Sequence, residues 1–261
     1  THFVREKANL QLGTRILCTQ FYCFQSFRLY FFLCNPIEIS IFISIQSCYL
    51  RVTFRSEVKN IFLVHSLHGA AKFVVKNSKT VLYLDGTQGT YAETSAIPFQ
   101  QTDLTIAVWI KLVSPLTKRQ EIYADWSNPW QFRFGILLDG RLYFQGRRNV
   151  QGSSDMIVVS TGSSVIADTD VWRHVAMTWG RADRKVRLYI NGDVKLDRII
   201  PDNPVLDFKN SGHSVYDIGL KRDSGTTTHA YFSDLIIFTN ELSGTDLKNE
   251  LFFNHPLRSF T

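Results

Sequence analysis

The sequence predicts an all-β fold in which two antiparallel sheets pack face to face, and three observations support this prediction. After Phe73, apolar residues alternate with polar residues in many short runs, which is the period-2 pattern of strands. Asp139-Gly140 and Asn191-Gly192 each separate two such runs, and both dipeptides favour the positive φ angles of two-residue hairpin turns. Roughly ten short strands separated by turn residues are what an antiparallel sandwich requires.

The predicted strands follow one another with turn residues between them. The alternation is clearest in DLTIAVWIKL, where Leu104, Ile106 and Val108 share one face. In chain order the strands are TVLYLDG, DLTIAVWIKL, FRFGILL with RLYFQG, MIVVSTG, WRHVAMTW, VRLYI with DVKL, YDIGL and YFSDLIIF.

One segment near the C-terminal end has helical spacing instead. In SGTDLKNELFF, Leu247 and Leu251 lie four residues apart, and Ser243 is placed to cap the first turn. The fold prediction therefore includes one short C-terminal helix.

The pattern of the strand WRHVAMTW indicates which of its residues are buried. Val175, Met177 and Trp179 share one side, while Trp172 and His174 share the other. A strand with apolar groups on both sides belongs in the middle of a sheet, so we predict that both tryptophans are buried. No nucleophile motif accompanies His174, which favours a hydrogen-bonded strand histidine over a general base.

The excess of basic over acidic residues and all the cysteines are concentrated in the first part of the chain. Of the net charge of +6, residues 1–72 contribute 8 Lys and Arg against 3 Asp and Glu, whereas residues 73–261 carry 21 against 20. The larger part therefore offers no electrostatic argument for a nucleic-acid partner. All four cysteines precede residue 50, so disulfides and cysteine-ligated zinc are excluded from the larger part.

The front segment FQSFRLYFFLCNPIEISIFISIQSCYL has no sustained helical period. A membrane anchor over Leu29–Leu50 would have to include Pro36 and Glu38, and no small-residue cleavage site marks a signal peptide. We favour a leader fragment or translated non-coding sequence. The predicted organisation is a poorly structured segment 1–72 and a sandwich module 73–261, with membrane association only if the front segment is an anchor.

The order of these motifs resembles a known family. Leu84-Asp85-Gly86, LTIAVWIKL, WRHVAMTW, VRLYINGD, YDIGL and YFSDLIIFTNELSGTDL follow one another over residues 80–252 as in laminin G-like and pentraxin-like modules. The resemblance implies a concanavalin A-like jelly roll. It departs at Ser233, which stands where a glycine usually precedes the aspartate of the closing strand.

The resemblance also implies calcium as a cofactor. It places Asp85 and Asp234 on terminal strands that lie side by side, where carboxylate and carbonyl oxygens suit a hard cation. The alternative for each aspartate is a solvated or turn-capping role.

Two loops carry the predicted ligand site. In DWSNPWQF the proline forces a turn that brings Asp125, Trp126 and Trp130 together, and an exposed indole could stack on a sugar ring. In QGRRN, Arg147, Arg148 and Asn149 offer forked donors for sulfate or carboxylate. Core packing for the tryptophans and solvated charge for the arginines are the competing interpretations. A second basic run, GRADRKVR, is better explained as solvated loop charge.

The chain lacks the common signatures of catalysis. Nucleophile-elbow, dinucleotide, phosphate-loop and zinc-protease motifs are all absent. The nearest carboxylate pair, Glu121 and Asp125, would lie on one strand face roughly 13 Å apart, too far for a retaining glycosidase. We therefore predict a non-enzyme.

The function implied by the resemblance is an extracellular or cell-surface recognition and adhesion module. Its partners would be glycans, acidic ones included, or extracellular proteins that meet the loops. The alternatives are a glycan-processing hydrolase on the same scaffold and an architectural spacer in a mosaic protein. The absence of any Asn-x-Ser/Thr acceptor argues slightly against the extracellular setting.

Overall fold

The computed structural model describes residues 28–30, 40–44, 49–52 and 64–261, the last range without 98–101, 114, 126–130, 149–155, 165, 167, 201–207, 209–211, 223 and 254–255. The chain divides into two units, Thr1–Glu57 and Val58–Thr261. The described part of the first unit is an antiparallel sheet of β1 (Arg28–Tyr30), β2 (Ser40–Ser44) and β3 (Tyr49–Val52), with β2 in the middle.

The membrane-anchor interpretation of Leu29–Leu50 rests mostly on residues outside the described ranges. Across the described residues, no helix is both long and apolar enough to cross a bilayer.

The second unit contains two seven-stranded sheets in which all neighbouring strands are antiparallel, so the predicted sandwich is confirmed. Sheet I has the spatial order β12 (Met156–Ser160), β11 (Leu142–Arg147), β10 (Phe132–Ile136), β9 (Gln120–Asp125), β16 (Val215–Ile218), β7 (Tyr91–Ser95) and β4 (Val64–His68). Sheet II has the order β15 (Asp193–Ile199), β14 (Lys185–Ile190), β13 (Trp172–Gly180), β8 (Leu104–Leu112), β19 (His229–Phe238), β6 (Lys79–Asp85) and β5 (Lys72–Lys76). A two-stranded ribbon joins β17 (Leu220–Lys221) to β18 (Thr226–Thr227).

The core lies between the sheets and is built by alternate residues of their inner strands. From β13, Val175, Met177 and Trp179 point into it, and Trp179 meets Phe208 edge-on with ring centroids 5.9 Å apart. Burial of one such indole stabilises the fold by about 4–6 kcal/mol at roughly 25 cal/mol per Å². The predicted central position of this strand is confirmed.

A helical segment covers the outer side of sheet II. It begins with α1 (Gly244–Asp246), continues as a π-helical stretch, Leu247–Phe253, and ends in a 3-10 turn, Pro256–Phe260. The predicted cap is confirmed, because the Asp246 backbone N–H donates to Ser243 Oγ at 3.1 Å.

This helical segment explains why β13 is apolar on both sides. Leu247 packs on Ala176, while Phe252 stacks on Trp109 with ring centroids 5.6 Å apart. Trp172 is buried in the same outer layer, and His174 is 1% exposed beside the Trp109 ring. His174 is therefore a strand residue, as predicted.

The two predicted hairpin turns differ in type. Asn191 and Gly192 both have positive φ, 52° and 78°, as a two-residue turn requires. The other hairpin instead closes over the three residues 138–140, since Leu137 N–H donates to the Arg141 carbonyl and Gly140 N–H donates to the Leu137 carbonyl. Only Gly140 adopts positive φ there, at 79°.

The sandwich includes residues before Phe73. Val64–His68 pairs with β7, and Lys72 opens β5, so both edge strands begin on the amino-terminal side of the expected boundary. Their residues are half-buried or exposed, and edge strands of this kind carry a weak apolar alternation.

Candidate ligand-binding face

The side of sheet I that faces away from sheet II collects charged and polar side chains. Because Phe144 of β11 points into the core, its neighbours Tyr143 and Gln145 point the other way. We call this surface the polar face. Its outward residues are Ser66 and His68 on β4, Tyr91 and Glu93 on β7, Asp217 on β16, Glu121 and Ala124 on β9, Arg133 on β10, Tyr143, Gln145 and Arg147 on β11, and Met156 and Val158 on β12.

One half of the polar face is organised around Arg222. Asp217 and Glu93 lie directly opposite each other on β16 and β7. Arg222 donates from Nε and Nη2 to the two oxygens of Asp217, at 2.7 Å each, and Nη2 also donates to Glu93 Oε1. One guanidinium group therefore bridges two neighbouring carboxylates.

The remaining oxygen of Glu93 is also engaged. Ser66 Oγ donates to Glu93 Oε2 at 2.6 Å, and His68 Nε2 lies 3.0 Å from the same oxygen. Burial disfavours the charged form of Glu93, but the hydrogen bonds from Ser66, His68 and Arg222 outweigh it and lower its pKa to about 2. Glu93 is thus a fixed negative charge at the base of the face.

Aromatic rings hold Arg222 from the side. The guanidinium carbon lies 5.4 Å from the Tyr91 ring centroid. The His68 ring stacks on Tyr91, with ring centroids 4.2 Å apart. Cation–π contact and the fork to Asp217 together restrict the orientation of the guanidinium group.

A bulge in β9 changes where its carboxylates point. Tyr123 pairs with Phe134, but the next pair is Glu121 with Gly135, so Ile122 is an extra residue on its strand. Glu121 consequently lies on the polar face, while Asp125 follows Tyr123 toward the inner side. The expectation that these carboxylates share one strand face is therefore wrong, and both are buried, at 0% and 2% exposed.

Gly135 is required beside this bulge. A Cβ atom there would collide with the Gln120 carbonyl oxygen and stand 3.0 Å from the Tyr143 ring. Close approach of the β9 backbone, rather than an unusual φ, therefore selects glycine.

The second half of the polar face surrounds Glu121. Tyr143 Oη donates to Glu121 Oε2, and Arg133 Nη1 lies 3.4 Å from Oε1. Arg133 Nε also donates to Gln145 at 2.9 Å, and Arg119 lies over the Tyr143 ring at 5.4 Å. Burial raises the pKa of Glu121, and Tyr143 and Arg133 offset that only in part.

The acidic groups of the face are more deeply buried than the basic groups around them. The side chains of Glu93 and Asp217 are 12% and 3% exposed, whereas Arg222 above them is 34% exposed. Glu121 is fully buried beside Arg133, and the partly exposed Arg119 and Lys221 lie near enough to favour its charged form. The outermost charges of the polar face are cationic.

The sequence analysis did not single out these cations. Lys118-Arg119 directly precedes β9, and Lys221-Arg222 spans the end of β17, which lies beside β9. Two Lys-Arg pairs flanking strands are a visible signal, but only the contacts with Tyr143 and Asp217 show that Arg119 and Arg222 share a surface.

The predicted loop site is only partly described. Trp126, Trp130 and Asn149 lie outside the described residues. The strand ends beside them meet at one end of the sandwich, because Gln131 N–H donates to the Asp125 carbonyl and Arg147 N–H donates to the Gln131 carbonyl.

The described members of that site differ in accessibility. Asp125 is buried, with Oδ1 2.6 Å from His213 Nδ1, so it supports His213 rather than meeting solvent. Arg147 is partly exposed at the margin of the polar face, and Arg148 pairs with the backbone of Phe208. Arg147 thus joins the predicted loops to the polar face.

The two aspartates expected to share calcium lie apart. β6 and β19 do pair, but Asp85 lies opposite His229, whereas Asp234 contacts Lys79 at the other end of β6. Six residues of strand separate these ends, about 20 Å. The expectation of one shared ion is therefore wrong, because it did not account for the antiparallel register.

Each aspartate has a local role instead. Asp85 Oδ1 accepts from the backbone N–H and the hydroxyl of Thr87, at 2.9 and 2.7 Å, which is a turn cap. Asp234 adopts φ of 49° at a bulge in β19, so it takes the left-handed geometry itself, directly after Ser233. The described residues contain no group of three or more His, Cys, Asp or Glu arranged for a metal ion.

Comparison with known proteins gives one family and a set of similar folds. A family model described as the concanavalin A-like lectin/glucanases superfamily matches residues 84–248. No curated protein matches the chain.

Three solved structures illustrate the shared fold. The binding domain of Paraclostridial Mosquitocidal Protein 1 is 16% identical with a TM-score of 0.58, covering 72% of this chain and 46% of that one. The botulinum neurotoxin serotype G binding domain is 18% identical with a TM-score of 0.56, covering 72% and 45%. The botulinum neurotoxin serotype D ligand-binding domain in complex with N-acetylneuraminic acid is 16% identical with a TM-score of 0.54, covering 70% and 44%. This chain spans less than half the length of each.

Proposed function

Because this chain belongs to the concanavalin A-like lectin/glucanase superfamily, we propose that it is a non-catalytic recognition module that binds an acidic glycan on its polar face. One observation carries the proposal: every described carboxylate of this face is more deeply buried than the arginines and lysines around it. An approaching ligand therefore meets cations first. The serotype D domain, which has the same fold, was crystallised with an acidic sugar, and this supports the ligand class.

The arginines are held in fixed orientations even without a ligand. Arg222 is oriented by Asp217 and Tyr91, and Arg119 lies against Tyr143. A guanidinium group that is already fixed loses little freedom when it binds a carboxylate or sulfate group. The tyrosines hold the arginines, so we assign recognition to the cations rather than to sugar stacking on these rings.

The arrangement argues against hydrolysis. Glu93 and Asp217 share one guanidinium nitrogen, so they are about as close as the roughly 5 Å pair of a retaining glycosidase. The space between them is filled by Arg222, and no sugar carbon can enter it. In a catalytic triad the histidine contacts the serine through one ring nitrogen and the carboxylate through the other. Here Ser66 and Glu93 both contact Nε2 of His68, so these three residues do not form a triad.

An extracellular or cell-surface setting follows from this ligand class, and a protein partner at the loops is compatible with it. Calcium dependence, if present, requires ligands other than the pair Asp85 and Asp234. An architectural spacer would have no use for an ordered layer of cations on one face.

Binding to a panel of sulfated, sialylated and neutral glycans tests the proposal, with Arg119→Gln as the diagnostic variant. Loss of a charge-assisted hydrogen bond, about 1.5–3 kcal/mol, predicts a tenfold or greater loss of affinity. Arg198→Gln, an exposed cation on β15, is the matched control and should bind as the parent does. Each measurement is made with calcium and with EDTA.

Three outcomes contradict the proposal. Binding that favours neutral glycans would remove the role of the cations. Release of sugar from a bound glycan, abolished by Glu93→Gln, would establish the hydrolase instead. Binding to no glycan at all would favour the protein-partner or spacer alternatives.

A further inference from the structure

The edge strand β5 presents two chemically different faces to solvent. Its sequence, KFVVK, places Lys72 and Lys76 on the outer side of sheet II and Phe73 and Val75 on the other side. Phe73 is 48% exposed and Val75 is 75% exposed. β5 is the last strand of sheet II in the described part of the chain, so its outer edge is open to a further strand.

The backbone of β5 shows which groups that edge offers. Asn77 and Ser78 both have positive φ, 52° and 59°, so β5 and β6 form a two-residue hairpin closed by the pair Lys76 and Lys79. Hydrogen-bonded pairs alternate along an antiparallel ladder, which directs Lys72, Val74 and Lys76 toward β6. The N–H and C=O groups of Phe73 and Val75 therefore face outward.

The two lysines are available to an acidic partner. Lys72 Nζ lies 5.8 Å from the Tyr83 ring centroid, and Lys76 Nζ lies 5.4 Å from that of Tyr231. Within the described residues neither forms an ion pair, whereas the neighbouring Lys79 is paired with Asp234. Lys72 and Lys76 stand four residues apart on one face, about 13 Å along the strand.

We propose that β5 is a docking edge for an extended segment of a partner protein that alternates acidic and apolar residues. The backbone of the segment would pair with Phe73 and Val75, and two acidic residues four apart would lie opposite Lys72 and Lys76. The residues between them would place apolar side chains beside Phe73 and Val75. This gives the pattern acidic, apolar, any residue, apolar, acidic.

A second copy of the chain does not satisfy this edge. Antiparallel pairing of two β5 strands about Val74 would set Lys72 opposite Lys76 twice, and like charges directly opposite destabilise a sheet. An acidic segment meets the same positions with attraction. The charge pattern therefore selects a different protein as the partner.

Fluorescence anisotropy with a labelled peptide tests the proposal on the full chain. The probe has the core Glu-Val-Thr-Val-Glu between Gly-Ser flanks, and the control peptide has the same composition with both glutamates adjacent. We expect saturable binding of the probe at least tenfold tighter than the control. The double variant Lys72→Glu/Lys76→Glu should lose that binding and instead bind the charge-reversed core Lys-Val-Thr-Val-Lys.

A backbone variant separates strand pairing from simple charge attraction. Val75→Pro removes an N–H that faces solvent, so β6 pairing and the circular dichroism spectrum should be unchanged, yet peptide binding should fall at least tenfold. Hydrogen exchange of the Phe73 and Val75 amides should slow when the probe binds.

Equal binding of probe and control, or failure of the charge-reversed peptide to rescue the double variant, would overturn the proposal. The lysines would then serve only to keep an exposed edge from aggregating. Because β5 and the polar face are on different sheets, glycan binding is unaffected by either result.

Discussion

Replacing Arg222 with methionine removes the one guanidinium group that joins the carboxylates of β7 and β16. Loss of the cation from a fully buried ion pair costs about 3–5 kcal/mol, because the remaining charge is left without a partner. Arg222 is 34% exposed, while Asp217 is 3% exposed. Water can thus replace part of the interaction, and we expect the free energy of unfolding to fall by about 2–3 kcal/mol near neutral pH.

The sign of the pH dependence distinguishes this explanation from lost packing. In the parent, Glu93 has a pKa of about 2 when folded against an ordinary 4.5, so its stabilising contribution is present above about pH 4.5 and is lost as the pH falls toward 2. In the parent, burial already raises the pKa of Asp217, and in the variant Glu93 and Asp217 become a like-charge pair whose folded pKa values both lie above the unfolded values. The folded variant then binds more protons, so its stability increases as the pH falls from neutral to about 4.5.

Urea unfolding followed by tryptophan fluorescence, at about pH 7 and about pH 4.5, measures this difference. The deficit of the variant should be smaller at the lower pH, and Glu93→Gln added to Arg222→Met should recover about half of it. Arg198→Met is the matched control and should change stability by less than about 0.5 kcal/mol. A deficit below about 1 kcal/mol that is equal at both pH values would refute the reasoning and make Arg222 an ordinary surface ion pair.

The remaining predictions concern packing and metal binding. Leu247→Ala should lower the free energy of unfolding by about 2–5 kcal/mol in chemical denaturation, because it opens a cavity in the outer layer of sheet II. Gly135→Ala should cost about 1–3 kcal/mol in the same assay, since its Cβ collides with the β9 backbone; a neutral result would mean that the bulge is adaptable. Asp85→Asn/Asp234→Asn should shift the thermal midpoint equally with calcium and with EDTA, whereas a shift seen only with calcium would show that the two do act on one ion.

The parts of the fold that the sequence could predict are those set by local pattern. Alternation identified Leu104–Leu112 as a strand, and Asn191-Gly192 identified a two-residue turn, because side-chain direction and positive φ are decided within a few residues. The helix cap at Ser243 is equally local.

The features that could not be predicted depend on the register between distant strands. No residue in QEIYAD signals that Ile122 is an extra residue, yet that bulge turns Glu121 and Asp125 to opposite sides. Asp85 and Asp234 were correctly placed on neighbouring strands, but only the register shows that they lie at opposite ends.

The site itself was the least predictable part. Arg119 and Arg222 belong to separate segments of ordinary composition, and they reach the same face because the β17 end lies beside β9. The tryptophan loop, by contrast, is conspicuous in sequence because it combines rare residues with a proline. A conspicuous composition therefore did not identify the residues of the proposed site.

The position of β19 in sheet II constrains how the chain can be assembled during synthesis. β19 lies between β6 and β8, so His229 must meet Asp85 and Ile236 must meet Ala107 across long stretches of intervening sequence. Until the ribosome has released His229–Phe238, β6 and β8 have no strand between them and their inner edges remain open. Such long-range closure slows folding, so we expect this module to acquire its structure only after almost all of it has been translated, with chaperones protecting the earlier strands.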